Sequence, residues 1–198
     1  MINKMDKIFR SFGTTEYRAA EDGSTESRRV VGCAVKFDSD SQDIGFTERI
    51  LKGAITQELI DNSDVYARMD HRDDVVLARS NHGVGSLKLD LREDGLYYEF
   101  DAPNTAHGDE LLEHLKRGEI TTSSFAFSLP DDDGCEEWYD DNGVLRRDIK
   151  KIGELYDVSP VYNPAYLATS AELRKMTAFK TFTDMDNIIK DAKSFMIE

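Results

Sequence analysis

Short runs in which apolar and polar residues alternate recur along the chain, and turn residues separate them. Val31, Cys33, Val35 and Phe37 share one parity, as do Val65, Ala67 and Met69, then Leu87, Leu89 and Leu91, then Leu96, Tyr98 and Phe100. A period of two is the signature of a strand with one face buried, because successive side chains point to opposite faces. At least six such strands are expected, with two or three short helices between them. The strands are short and often hairpin-linked, which argues against a doubly wound parallel sheet. The expectation is a mostly β domain: a closed or nearly closed β-barrel of six to seven strands with short peripheral helices.

The helices carry their own signals. Leu111, Leu112 and Leu115 fall at helical spacing over 108–117, and Gly118 stands where a helix would stop. A second short helix is expected between Gly53 and about Asn62. Residues 1–27 are expected to be an N-terminal leader, 28–174 the β-barrel domain, and 175–198 a helical tail with Met185, Ile188, Ile189 and Ala192 on one side. With 198 residues, of which 39% are hydrophobic, one domain with a substantial core is sufficient.

Charge narrows the function classes. Lys and Arg number 25 against 39 Asp and Glu, a net charge of -14, so the surface repels phosphate backbones and anionic lipid. Neither a nucleic-acid nor a membrane partner is expected. No apolar run approaches the roughly 20 residues that span a bilayer. Cys33 and Cys135 form neither a disulfide framework nor a metal-ligand pair, which fits a reducing cytoplasm.

Hydrolytic chemistry of the serine type needs a hydroxyl, a base beside it, and a group that orients the base. The strand Ile120-Thr-Thr-Ser-Ser-Phe-Ala-Phe127 offers Ser123 and Ser124. By parity Ser123 shares a face with Phe125 and Phe127, while Ser124 shares the other with Thr122, Ala126 and Ser128. If the aromatic face is core, Ser124 points to the outer surface. The competing reading is a plain solvated strand face. Among His71, His82, His107 and His114, His71 ends a strand and is flanked by Asp70, Asp73 and Asp74. A loop-entry histidine bonded to Asp73 is its bland alternative. Asp157 is the one acid in the apolar run Leu155–Val161, with Asp148 and Glu154 as weaker choices. A charge in such a run needs pairing. Asp70, His71 and His82 could instead serve a metal-dependent hydrolase, although they lack a recognised ligand spacing. The acidic run Asp131–Glu137 reads as a solvated loop.

Taken together and in order, these stretches resemble the tailed-phage prohead (capsid maturation) proteases, distant relatives of the herpesvirus assemblins. The resemblance runs from about Arg28 to Arg174. It rests on Arg29-Val-Val-Gly-Cys-Ala-Val-Lys-Phe-Asp38, Phe46-Thr-Glu-Arg-Ile50 and Lys52-Gly-Ala54. It rests also on His71 after Met69-Asp70, on Ser124-Phe-Ala-Phe127, and on Leu155-Tyr-Asp-Val-Ser-Pro-Val-Tyr-Asn-Pro-Ala-Tyr166. Ala126 stands where glycine is common in that family, and Arg72 where Asp is usual.

The resemblance implies a serine endopeptidase with Ser124 as nucleophile, His71 as general base and Asp157 as orienting acid, without a cofactor or metal. Assemblins use a second histidine after the serine; no histidine follows Ser124, so an acid would take that place or a dyad would operate. The resemblance further implies the major capsid protein and its scaffolding segment as partners, self-cleavage, and a homo-oligomer such as a dimer; the tail is then a candidate propeptide or scaffold-binding segment, with a terminal helix packed on the barrel as the plain alternative. The implied location is the bacterial host cytoplasm, inside the prohead. The oxyanion donors are not legible in the sequence; backbone amides near Asn163 and an arginine such as Arg147 are candidates only. The alternative function is a non-catalytic capsid-assembly or scaffold protein on the same barrel.

Overall fold

The computed structural model describes residues 7–17 and 27–162, together with Lys180, Thr181, Thr183 and Met185. The chain forms two compact units, Met1–Tyr166 and Leu167–Glu198. In the second, the four described positions are helical. The rest of the expected 175–198 tail, including Ile188, Ile189 and Ala192, lies outside the described residues, as does Asn163.

The strands of the first unit are β1 (Ile8–Tyr17), β2 (Arg29–Lys36), β3 (Thr47–Ile50), β4 (Asp64–Arg68), β5 (Val76–Asn81), β6 (Val84–Gly85), β7 (Lys88–Arg92), β8 (Gly95–Asp101), β9 (Thr122–Ser128), β10 (Glu136–Asp141), β11 (Val144–Ile149) and β12 (Glu154–Val161). Two helices interrupt them, α1 (Gln57–Asn62) and α2 (Ala106–Arg117). Thr56 and Thr105 cap these helices through side-chain oxygens that accept from the N–H groups of Leu59 and Gly108. Gly118 ends α2 with φ 70, the left-handed conformation that favours glycine. Among the described residues no helix is long and apolar enough to cross a membrane.

The expected barrel is not formed. One nine-stranded sheet runs β6-β5-β4-β12-β9-β1-β2-β8-β7, and a separate three-stranded sheet runs β10-β11-β3. Closure would require β6 and β7 to pair, yet they are the two ends of an open sheet. The physical reason lies at the edges. β6 is only two residues long, so it offers too few backbone groups to hold a further strand. Meanwhile β3 is drawn away into a parallel pair with β11. Within the expected leader, Ile8–Tyr17 forms β1, an interior strand between β9 and β2.

Local chemistry accounts for several joins. The β7–β8 hairpin turns at Glu93 and Asp94, with Arg92 opposite Gly95. Gly95 is required by a close approach rather than by the turn, because a Cβ there would stand 2.2 Å from the Val35 carbonyl oxygen. The core gathers the apolar faces of both sheets and α2. Phe125 and Phe127 stack in it at 4.8 Å, and Leu111 and Val35 are fully enclosed.

A buried ionic chain joins the two sheets. Arg10 of β1 gives Nε to Glu48 Oε1 at 2.8 Å and Nη2 to Oε2 at 3.4 Å. Arg147 of β11 gives Nη1 to Glu48 Oε2 at 2.7 Å and Nε to Glu136 at 2.6 Å. Arg10 and Glu48 are wholly excluded from solvent. Removing Glu48 would take from both guanidinium groups the carboxylate they share in low dielectric.

Candidate active site

The site is built on β9 and its two neighbours. In an antiparallel ladder, residues directly opposite one another share a face. Ser124 lies opposite Ser159 of β12, and Ala126 lies opposite both Asp157 of β12 and Phe9 of β1. Phe127 lies opposite Leu155 and Ile8, on the core face. Leu155 and Asp157 are two residues apart, so a regular strand would put them on the same side. A register shift between them turns Asp157 away from the core and onto the face of Ser124. Such bulges re-aim side chains.

His71 arrives from β4, which runs parallel to β12 with Tyr66 opposite Asp157. The turn after β4 holds Asp70 and His71 at φ 55 and 57, both in the left-handed region. Side chains other than glycine adopt it at a cost of about 1 kcal/mol or more. The Asp70 N–H donates to the Pro160 carbonyl at 3.0 Å, which ties this turn to β12. The imidazole then bridges the two strands. Its Nδ1 lies 2.6 Å from Asp157 Oδ1, and its Nε2 lies 2.7 Å from Ser124 Oγ. Three residues far apart in sequence thus form one continuous hydrogen-bonded line.

The surroundings are dry. Ser124, Asp157 and Ser159 are fully buried, while the His71 side chain keeps 13% exposure. Asp157 also accepts from Ser159 Oγ at 2.8 Å and from Lys7 Nζ at 3.3 Å. Burial alone would raise its carboxyl. The His71 hydrogen bond and charge, helped by Lys7 and Ser159, outweigh that and hold it below the usual carboxylate range. On the other side, the Phe9 ring meets His71 edge-on at 4.7 Å between centroids. Ser124 Oγ also lies 2.9 Å from the Arg10 carbonyl oxygen. A serine hydroxyl has one hydrogen, so His71 Nε2 and the Arg10 carbonyl compete for it.

Parity separates the neighbouring serines as expected, but the exposure of Ser124 does not follow. Ser123 turns the other way and meets the Tyr98 hydroxyl at 2.6 Å. Ser124 was expected at the outer surface and is instead enclosed, with its hydroxyl between the His71 ring and the Arg10 carbonyl. The other candidates lie elsewhere. His82 sits in the β5–β6 turn with its N–H bonded to the Ser63 carbonyl. His107 faces Glu110 at 3.4 Å, and His114 faces Glu119 at 2.5 Å. Asp148 pairs with Arg49, and Glu154 is exposed at the start of β12. Asp73 pairs with Arg68 rather than His71. Arg147, one candidate oxyanion donor, is engaged by Glu48 and Glu136. Among the described residues no group of three or more His, Cys, Asp or Glu side chains is placed to hold a metal ion. The run Asp131–Glu137 is a solvated loop only in part: Cys135 is buried, and Glu136 and Glu137 begin β10.

Sequence reasoning missed Lys7, Phe9, Arg10, Glu48 and Ser159. For Glu48 a signal existed, since it shares parity with Phe46 and Ile50 on an apolar face. Ser159 shares parity with Asp157 in the same run.

No curated protein sequence matches this chain. A solved structure, the bacteriophage T4 capsid assembly protease gp21, aligns with a TM-score of 0.47 at 12% identity, covering 81% of this chain and 100% of that one. The family model described as Caudovirus prohead serine protease matches residues 14–182. That span is most of the chain, and it includes His71, Ser124 and Asp157. The chain therefore belongs to the Caudovirus prohead serine protease family, whose role is that of a protease in phage capsid maturation.

Proposed function

We propose that this protein is a serine endopeptidase that cuts the scaffolding portion of the major capsid protein, and itself, inside the immature shell. The observation that carries the reading is the line Ser124 Oγ–His71 Nε2–His71 Nδ1–Asp157, with links of 2.7 and 2.6 Å. In it Ser124 is the nucleophile, His71 the general base and Asp157 the orienting acid.

The chemistry follows from the hydrogen-bond roles. With Asp157 accepting from Nδ1–H, the neutral ring presents Nε2 as an acceptor toward Ser124. As Ser124 Oγ attacks a peptide carbonyl carbon, its proton passes to Nε2. The same proton then goes to the leaving amine, and water repeats the cycle on the acyl-enzyme. Asp157 stays ionised and stabilises the imidazolium.

Co-expression of the full chain with its cognate major capsid protein tests the reading. The expected result is a trimmed capsid product that disappears in Ser124→Ala, since removing one member of a catalytic unit costs several orders of magnitude in rate. Trimming by Ser124→Ala at the wild-type rate would overturn the assignment. No trimming by the wild-type chain would favour a non-catalytic assembly role.

A further inference from the structure

We infer that Ser159 is a positioning residue for the proposed reaction: its hydroxyl fixes the carboxylate oxygen that orients His71. The inference rests on the reading of Ser124, His71 and Asp157 given above.

Asp157 Oδ1 receives two donors, His71 Nδ1 at 2.6 Å and Ser159 Oγ at 2.8 Å. Both side chains meet it where bulk water is excluded, for Asp157 and Ser159 have no exposed surface. The terminal torsion of an aspartate is broad and nearly two-fold, so packing alone does not choose which oxygen faces the ring or at what angle. A second donor on the same oxygen does choose. Lys7 contributes less to this selection, because it reaches the other oxygen at 3.3 Å and its side chain is 33% exposed.

Ser159 is also well placed to hold that angle. It follows Asp157 by two residues on β12, past the register shift, and stands directly opposite Ser124. The ladder that carries the nucleophile therefore carries the hydroxyl that sets the acid. Without it, one lone pair of a buried carboxylate lacks its donor, and the carboxylate binds the imidazolium proton more tightly.

The test is the rate at which the full chain is labelled at Ser124 by a fluorophosphonate, measured across pH. Ser124 oxygen bonds to phosphorus, fluoride leaves, and the serine proton passes to His71, so no capsid substrate is needed. Ser159→Ala is expected to slow the maximal rate by about tenfold to a hundredfold with the reagent's binding constant unchanged, the scale of a hydrogen bond to a charged group. Its acid limb should move to higher pH. Ser159→Thr, which keeps the hydroxyl, should restore both. A purely structural role would lower the melting temperature and leave the pH profile of the folded fraction where it was. If Ser159→Ala does not fold, Ser159→Cys supplies the readout, with a smaller rate loss and the same direction of shift. A variant profile superimposable on wild type would overturn the inference while leaving the Ser124 assignment intact. Equal labelling of Ser124→Ala would overturn the assignment itself.

Discussion

Replacing Asp157 with asparagine is the most informative single change, because it keeps the shape and removes the charge. Asp157 is fully buried and its Oδ1 lies 2.6 Å from His71 Nδ1, so water cannot stand in for it. In the proposed reaction the ring becomes cationic just as Ser124 attacks. The charge centres of an imidazolium and a carboxylate in such contact are about 4 Å apart, and at an effective dielectric of about 20 that is worth about 4 kcal/mol. Lost from the transition state alone, it corresponds to about a thousandfold in rate. The substrate does not touch Asp157 in this reading, so KM should change little. Single-turnover trimming of the cognate capsid protein, with fold checked by circular dichroism, measures the effect. Ser159 Oγ can still donate to the amide oxygen, which keeps the site assembled. A folded Asp157→Asn chain that cleaves within about threefold of wild type, a difference under 1 kcal/mol, would refute the role of the carboxylate.

Three further expectations can be checked by denaturation. Stability should depend on Asp157 at acid pH: its folded carboxyl sits below the ordinary value near 3.9, so its contribution is complete above that value and is lost as pH falls through the folded value. Urea melts between pH 5 and pH 3 should then show a smaller stability loss for Asp157→Asn than for wild type, and equal losses would refute the linkage. Glu48→Gln leaves the Arg10 and Arg147 guanidinium groups facing an amide in a buried site, and should cost about 3–5 kcal/mol in unfolding free energy; a cost under about 1 kcal/mol would mean that the chain relaxes around them. Ser123→Ala removes the 2.6 Å contact with the Tyr98 hydroxyl and should cost about 1 kcal/mol while cleavage per folded molecule is unchanged.

Much of the fold was legible where one face of a strand is buried. Leu96 to Phe100 alternate and became a strand of the large sheet. Val31 to Phe37 gave a strand too, but not the single face expected: a register shift between Cys33 and Val35 leaves Val31 and Cys33 on the side of Glu99 and Tyr97 and puts Val35 on the core side with Leu96. The α2 helix was legible from its leucines and Gly118. β5 was missed because its burial does not alternate, and β10 because its acids look like loop. β1 was hidden among polar residues: its stability comes from pairing on both sides, not from an apolar stripe. Barrel closure is a property of the edges, and no local pattern in β6 or β7 announces whether they will meet. At the site, His71, Ser124 and Asp157 stood out as candidates in the sequence, and the structure brings them within hydrogen-bond reach. Their enclosure was not legible, because it depends on how the His71 turn and the Arg10 carbonyl meet around Ser124.

Two irregularities in the strands beside β9 do what alternation alone cannot. Continued without a shift from Leu155 opposite Phe127, β12 would bring Asp157 opposite Phe125, on the core face. The shift instead brings it to the face of Ser124. In β1 the register changes between Arg10 and Gly13, and the Arg10 carbonyl accepts from Ser124 Oγ at 2.9 Å. That carbonyl gives the serine hydrogen a second acceptor. With a neutral ring, Nδ1–H serves Asp157 and Nε2 takes the hydrogen of Ser124. With a ring already protonated before reaction, both ring nitrogens donate, and the Ser124 hydrogen turns to the Arg10 carbonyl. The same four groups therefore satisfy both protonation states of the ring while Ser124 keeps its hydrogen; once the ring takes that hydrogen in the proposed reaction, Ser124 no longer donates to the Arg10 carbonyl. Arg10 is itself held by Glu48, so the buried ionic chain between the sheets sets the position of that acceptor.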